Sequence, residues 1–238
     1  MRKKPSTFSK LCRQIRDALL ACLRVLMLIS LVALGAAGYI VGRGLYEQWA
    51  LAAARAALPP GAGQRIGVIA GHWQNDSGAV CPDGLQEVQI TTAVAQRVVE
   101  ALQERGYRAE MLPEFSPRLA GYQAEALVSI HVDSCLKGRS GFKVARVVGS
   151  AVPEAEDRLV ESLYLEYEKA SNLKRDLNTI TADMTSYHAF NEIAPQTPGA
   201  IIEIGFLGGD RRLLTRDQGK AALGVAAGIA RFLQGETP

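Results

Sequence analysis

The stretch Arg65-Ile66-Gly67-Val68-Ile69-Ala70-Gly71-His72 decides the reading of the fold. A short apolar run closed by a glycine reads as a buried strand, because an amphipathic helix needs a longer repeat. A loop rich in Gly, Asp, Asn and Ser follows. From Glu87 to Arg105, Ile90, Val94, Val98, Ala101 and Leu102 recur at helical spacing, and Gly106 sits where a helix usually terminates. Tyr107, Ala109 and Met111 then alternate with Arg108 and Glu110 as in a strand, Ala126 to His131 is a second short apolar run, and Phe142 to Val148 reads as a further strand. Leu159, Leu163 and Tyr167 mark a helix over Glu154 to Ala170, and the polar stretch Ser171 to Pro198 reads mostly as loop. A last strand, Ala200 to Ile204, precedes a closing helix over Asp217 to Leu233. Strands alternating with helices imply right-handed crossovers and an α/β fold, a largely parallel twisted sheet with helices on both faces.

Working back toward the amino terminus, Val25 to Val41 holds no charged residue and is bracketed by Arg24 and Arg43. A hydrocarbon core roughly 30 Å thick needs about 20 helical residues, which this run and its flanks supply. The first 24 residues carry seven Lys or Arg against Asp17 alone, a local charge of +6 (7 − 1), so the remainder of a chain with net +3 carries −3 (3 − 6). A basic groove for nucleic acid needs its charge on the folded domain, and here the charge precedes an apolar segment; nucleic acid is excluded as a partner. The basic excess at Arg2, Lys3, Lys4, Lys10, Arg13 and Arg16 orients the amino terminus toward the cytoplasm. The expected organisation is a basic cytoplasmic tail (1–24), one transmembrane anchor in the lipid bilayer (25–42), an Ala/Pro/Gly linker (43–64) and an exoplasmic domain (65–238). The alternative is a cleaved signal peptide, for which Ala33-Leu34-Gly35-Ala36 offers small residues. Both readings export the domain. Cys12 and Cys22 then fall on the cytoplasmic side or at the membrane boundary and stay thiols, while export permits a disulfide at Cys81 and Cys135.

The chain has only three histidines, and two end strands: His72 after Ala70-Gly71, and His131 after Ser129-Ile130. Glu203 lies within Ile201-Ile202-Glu203-Ile204-Gly205, and Glu87 opens the helix after the first loop. In open α/β sheets ligands bind at the carboxyl ends of strands, so parallel strands would bring these residues to one edge. Two imidazoles and a carboxylate with a position open to water form a catalytic zinc set, and a second carboxylate can carry the proton. The competing readings are a hydrogen-bonded structural histidine and, for Glu87, a favourable partner of the helix dipole. A carboxylate among Ile201, Ile202, Ile204 and Phe206 is costly to bury unpartnered, which favours a functional role for Glu203.

Taken in order, Ile66 to His72, Asp76-Ser77-Gly78-Ala79, Gly84-Leu85-Gln86-Glu87, Ser129-Ile130-His131-Val132-Asp133 and Ile202-Glu203-Ile204-Gly205-Phe206-Leu207 resemble the zinc-dependent N-acetylmuramoyl-L-alanine amidases of bacterial cell separation and sporulation. The resemblance covers Arg65 to Leu233. It implies one zinc ion held by His72, Glu87 and His131, with Glu203 as the catalytic carboxylate. It further implies peptidoglycan as substrate, cut at the amide between the lactyl group of N-acetylmuramic acid and L-alanine. Trp73 replaces the usual Gly after the first histidine, Asp133 the usual Asn after the second, and the segment before His131 is short. These departures bear on groove shape. Two other readings stay open: a zinc carboxypeptidase-like hydrolase of stem peptides, and a wall-binding or regulatory module without turnover. The residues specify neither a protein activator nor the stem-peptide chemistry accepted.

A shared zinc would bring the loops of Cys81 and Cys135 together, which leads us to expect a disulfide between them; buried thiols or extra metal ligands are the alternatives. His188 reads as a groove-wall or structural residue. Trp73 either stacks on a sugar or packs over the metal loop.

Overall fold

The structure, a computed structural model, describes residues 7–57, 61 and 63–235, and gives no side-chain placement for 7–22, 24–25 and 54–56. The linker prolines lie outside the described residues, and the charged side chains of the expected basic tail and the thiols of Cys12 and Cys22 lie outside the described side chains. The chain divides into two compact units, 1–50 and 51–238.

Helix α1 (Thr7–Ala56) carries the apolar run. Within it Leu26–Ala53 spans 28 residues at mean hydropathy 1.8, long and apolar enough to cross a membrane, with none of that stretch buried in the protein. At 1.5 Å per residue such a span covers about 42 Å. The helix runs on past Arg43, so residues 43–56 of the expected linker are helical; an Ala-rich sequence without a breaker before Pro59 has no reason to stop sooner.

The second unit is built on a five-stranded sheet of β1 (Arg65–Ala70), β2 (Arg108–Leu112), β3 (Ala126–Asp133), β4 (Lys143–Ala145) and β5 (Gly199–Phe206), ordered β2-β1-β3-β5-β4. β1, β2, β3 and β5 run parallel, whereas β4 is an antiparallel edge. The strand expected over Phe142 to Val148 is therefore only three residues long, and the chain turns away through Gly149 (φ 80°). Three long helices, α2 (Glu87–Gln103), α3 (Pro153–Ser171) and α7 (Gln218–Leu233), accompany three short ones, α4 (Ala182–Thr185), α5 (Ala189–Glu192) and α6 (Arg211–Thr215). Helices α4 and α5 lie in the stretch read as loop, and one-turn helices are too short to leave a periodic signature.

Alternate strand residues face opposite sides of a sheet. Val68, Val128, Ile130, Ile202 and Ile204 join Val94 and Val98 of α2, Leu159 and Leu163 of α3 and Val225 of α7 in one buried cluster. Full burial of each such side chain contributes about 1.5–3 kcal/mol. The intervening residues Ile69, Leu127, Ile201 and Ala145 pack instead with Leu119 and Tyr122 of the β2–β3 connection and with Met184, Tyr187 and Ile193 around α4 and α5. Helices thus cover both faces, but all three long ones lie on the first. By the same alternation His131, Glu203 and Lys143 belong to the second face.

Candidate metal and proton-transfer site

Register lines these residues up. Gly71 N–H donates to the Ile130 carbonyl at 3.0 Å, His131 pairs with Glu203 across β3 and β5, and Glu203 pairs with Lys143 across β5 and β4. His72 sits on the turn after β1 with φ 65°, a left-handed conformation that non-glycine residues seldom adopt. Its backbone N–H donates to Glu114 Oε2 at 2.8 Å, and the Thr91 hydroxyl ties the Gly71 carbonyl to α2 at 2.6 Å. Two glycines make room for the site. A Cβ on Gly71 would lie 2.6–2.7 Å from the His131 ring, and one on Gly78 would lie 2.6 Å from both Glu87 Oε2 and His72 Cδ2.

Glu87 is the first residue of α2, where the helix dipole favours a carboxylate. It is 4% exposed; Oε1 accepts from Val132 N–H at 2.9 Å and Oε2 from Ala79 N–H at 3.0 Å. Onto the same Oε1 converge His72 Nε2 at 3.3 Å and His131 Nδ1 at 3.2 Å. The three residues place one ligand atom each within 4.8 Å of one another. Each imidazole's other nitrogen faces a separate carboxylate: His72 Nδ1 lies 2.5 Å from Asp76 Oδ1, and His131 Nε2 lies 3.4 Å from Glu114 Oε2, in ion-pair range though outside hydrogen-bond geometry. A nitrogen turned inward and a nitrogen held outward by a carboxylate is how a metal-ligating histidine is supported, and the set of two nitrogens and one oxygen suits zinc. The residues present therefore fit a metal ion.

The charges are tightly coupled. Burial alone would raise the Glu87 carboxyl, but hydrogen bonds from His131 and His72 reverse this and hold it at about 2. Burial would lower the His131 imidazole, yet Glu114 and Glu87 raise it to about 10, so a metal ion entering this pocket would have to displace a proton. Glu203 behaves oppositely. Burial, reinforced by the Glu87 and Asp133 charges and opposed by His131 and Lys143, pushes its carboxyl up to about 7. Its Oε2 is enclosed and has no hydrogen-bond partner among the described residues. Asp133 and the buried Lys143 form an ion pair at 2.5 Å beside it, and Lys143 also donates to the Thr179 carbonyl at 2.8 Å.

Cys81 and Cys135 are joined by a disulfide with Cα atoms 5.3 Å apart, linking the loop before Glu87 to the segment after His131. Closing a loop of that 54-residue separation removes unfolded-state entropy worth up to about 4 kcal/mol. His188 has both ring nitrogens engaged, with Glu114 at 3.1 Å and Glu192 at 2.9 Å, and its ring stacks on Phe115 at 4.2 Å. Trp73 is partly buried and packs against the larger apolar cluster. Glu114, Tyr187 and Lys143 were not visible as site residues in the sequence. The one signal for Glu114 was an acidic residue just beyond a strand, which carries weight only once that strand is known to lie beside β1.

The N-acetylmuramoyl-L-alanine amidase sequence family matches residues 66–231. The Bacillus subtilis protein YqiI, itself uncharacterized, is 29% identical over 195 residues, covering 76% of this chain and 91% of that protein. Among solved structures, the amidase Ami1 of Mycobacterium smegmatis is similar at TM-score 0.60 and 19% identity, over 74% of this chain and all of that one (100%). The CwlD amidase of Clostridioides difficile, solved with the GerS lipoprotein, is similar at TM-score 0.57 and 18% identity, over 73% of this chain and 100% of that one.

Proposed function

From the premise that this chain belongs to the N-acetylmuramoyl-L-alanine amidase family, we propose that it hydrolyses the amide between the lactyl group of N-acetylmuramic acid and L-alanine in peptidoglycan. His72 Nε2, Glu87 Oε1 and His131 Nδ1 would hold one zinc ion. The ion, when bound, supplies Lewis acidity toward water and toward the scissile carbonyl. Glu203 takes the proton from the attacking water and returns it to the leaving amine nitrogen, a task suited to a carboxyl poised near neutrality. The Asp133–Lys143 pair keeps that carboxyl flanked by balanced charge. The disulfide ties the loop before Glu87 to the segment after His131.

One observation carries this reading: three ligand atoms within 4.8 Å of one another, with an enclosed, unpartnered carboxylate oxygen, Glu203 Oε2, across the adjacent strand. Helix α1 serves as a single-pass membrane anchor, amino terminus in the cytoplasm, and holds the domain on the outer side near the wall. Mass analysis of fragments released from purified peptidoglycan by the full chain, with and without chelator, tests the bond. A free L-alanine amino terminus that appears only with metal is expected. Shortened stem peptides would replace the amidase by a peptidase, and uncut material would leave a binding module.

A further inference from the structure

We infer that Glu114 is a positioning residue of the metal site, a buried carboxylate that fixes His131 and the His72 turn together and ties both to the Tyr187–His188 segment. The inference rests on the zinc reading above. Glu114 lies two residues beyond β2, and because Leu112 pairs with Ile69 it arrives abreast of the turn that bears His72. It is 5% exposed. Oε2 accepts the His72 backbone N–H at 2.8 Å and faces His131 Nε2 at 3.4 Å, while Oε1 accepts the Tyr187 hydroxyl at 2.8 Å and faces His188 Nε2 at 3.1 Å. The Ser129 hydroxyl in turn donates to the Tyr187 oxygen at 3.0 Å, and Ser129 precedes His131 by two residues on the same side of β3.

The His131 ring is enclosed by its neighbours. Carboxylates flank both nitrogens of His131, Glu87 on Nδ1 and Glu114 on Nε2, and the edges of His72 and Tyr187 close the sides at centroid distances of 5.0 and 5.6 Å. A histidine that gives one nitrogen to a metal needs the other N–H accepted, which selects the tautomer and raises the basicity of the ligating atom. Asp76 stands in the same relation to His72 but is exposed, so solvent screens it; Glu114 is enclosed, and its charge acts at lower dielectric. A purely structural Glu114 would need only to accept the His72 N–H and the Tyr187 O–H. An amide keeps both contacts by reversing one: its oxygen accepts the His72 N–H, and its NH2 donates to the Tyr187 oxygen, whose own hydrogen can turn to Ser129.

Glu114→Gln keeps the size and the acceptor for His72 while losing the charge, and Tyr187→Phe controls for the second acceptor it gives up. Zinc affinity of the full chain in detergent micelles is measured by competition with a chelator, and cobalt is added as a spectroscopic probe of the ligand field. Glu114→Gln is expected to weaken zinc binding roughly 10–100-fold and to alter the cobalt absorption bands. Tyr187→Phe, which removes only one donor to Glu114, is expected to shift both less. Wild-type affinity and an unchanged cobalt spectrum in Glu114→Gln would overturn the inference. Should that variant fail to fold, Glu114→Asp gives the same reading, with weakened binding in support and wild-type affinity against. A wild-type chain that takes up neither zinc nor cobalt overturns the metal reading itself, before any variant is made.

Discussion

The two faces of the sheet are made from alternating residues of the same strands, yet they do opposite things. Ile130 and Ile202 point into the cluster formed with α2, α3 and α7, where three long helices exclude water over the whole face. Their neighbours His131 and Glu203 belong to the other face, covered by the β2–β3 connection and one-turn helices. Long helices bury apolar surface efficiently but leave no opening. Short segments leave polar side chains reachable at the carboxyl ends of the strands, where an α/β sheet places its ligands. The apolar packing therefore lies on one face and His131 and Glu203 on the other, one residue apart along the chain, while Glu87 reaches His131 at the sheet edge from the first turn of α2.

Adjacent substitutions put the largest strain on this comparison. Glu203→Gln is expected to cut turnover roughly 10²–10⁴-fold, the usual contribution of a positioned proton carrier, while leaving the unfolding midpoint close to wild type, because the amide keeps the size and polarity of the half-buried side chain. Ile202→Ala should do the reverse, costing about 2–5 kcal/mol in denaturant unfolding with little change in turnover per folded molecule. Kinetics and urea melts on the two variants decide the matter, and equal effects on both quantities would erase the division.

Removing the disulfide sharpens it, because that bond packs in the larger apolar cluster and also ties the loop before Glu87 to the segment after His131. Cys81→Ala with Cys135→Ala should lower stability by about 2–4 kcal/mol and weaken zinc retention, as measured by urea unfolding and chelator competition. Unaltered zinc retention would mean that the ligand loops are held by the sheet alone. A smaller effect is expected from Gly71→Ala, whose methyl would press on the His131 ring; overpacking of this kind costs about 1–3 kcal/mol in thermal unfolding.

Stability should also depend on pH. In metal-free protein Glu87, held at about 2 against an ordinary 4.5, contributes stability that is complete above about pH 4.5 and lost as pH falls through 2. His131, raised to about 10 against 6.5, contributes stability that is complete below about pH 6.5 and lost as pH rises through 10. The melting temperature of chelated protein should therefore peak between about pH 4.5 and 6.5. With zinc the imidazoles are held deprotonated, so stability should rise from acid to neutral pH. Identical profiles with and without metal would contradict the shared pocket.

Much of this division was legible in the sequence. The apolar runs of β1, β3 and β5 and the helical spacing of α2 set the sheet, and a carboxylate lodged among isoleucines marked Glu203. Strand β4 was harder, because a three-residue antiparallel edge gives no run long enough to bound, and α4, α5 and α6 are single turns without period. Glu114 escaped for another reason. Between Pro113 and Phe115 it looks like any loop acid, and only the pairing of β2 with β1 brings it to the histidines. Lys143 likewise gains meaning only when β4 folds back against Glu203.

If His72, Glu87 and His131 share one metal ion, the metal content of the purified protein reveals it without any assay of turnover. Purified full chain should hold one zinc per molecule by elemental analysis, Glu203→Gln should hold the same, and His72→Ala, Glu87→Gln and His131→Ala should each fall well below it. Stoichiometric zinc in a folded Glu87→Gln or His131→Ala variant would contradict the account.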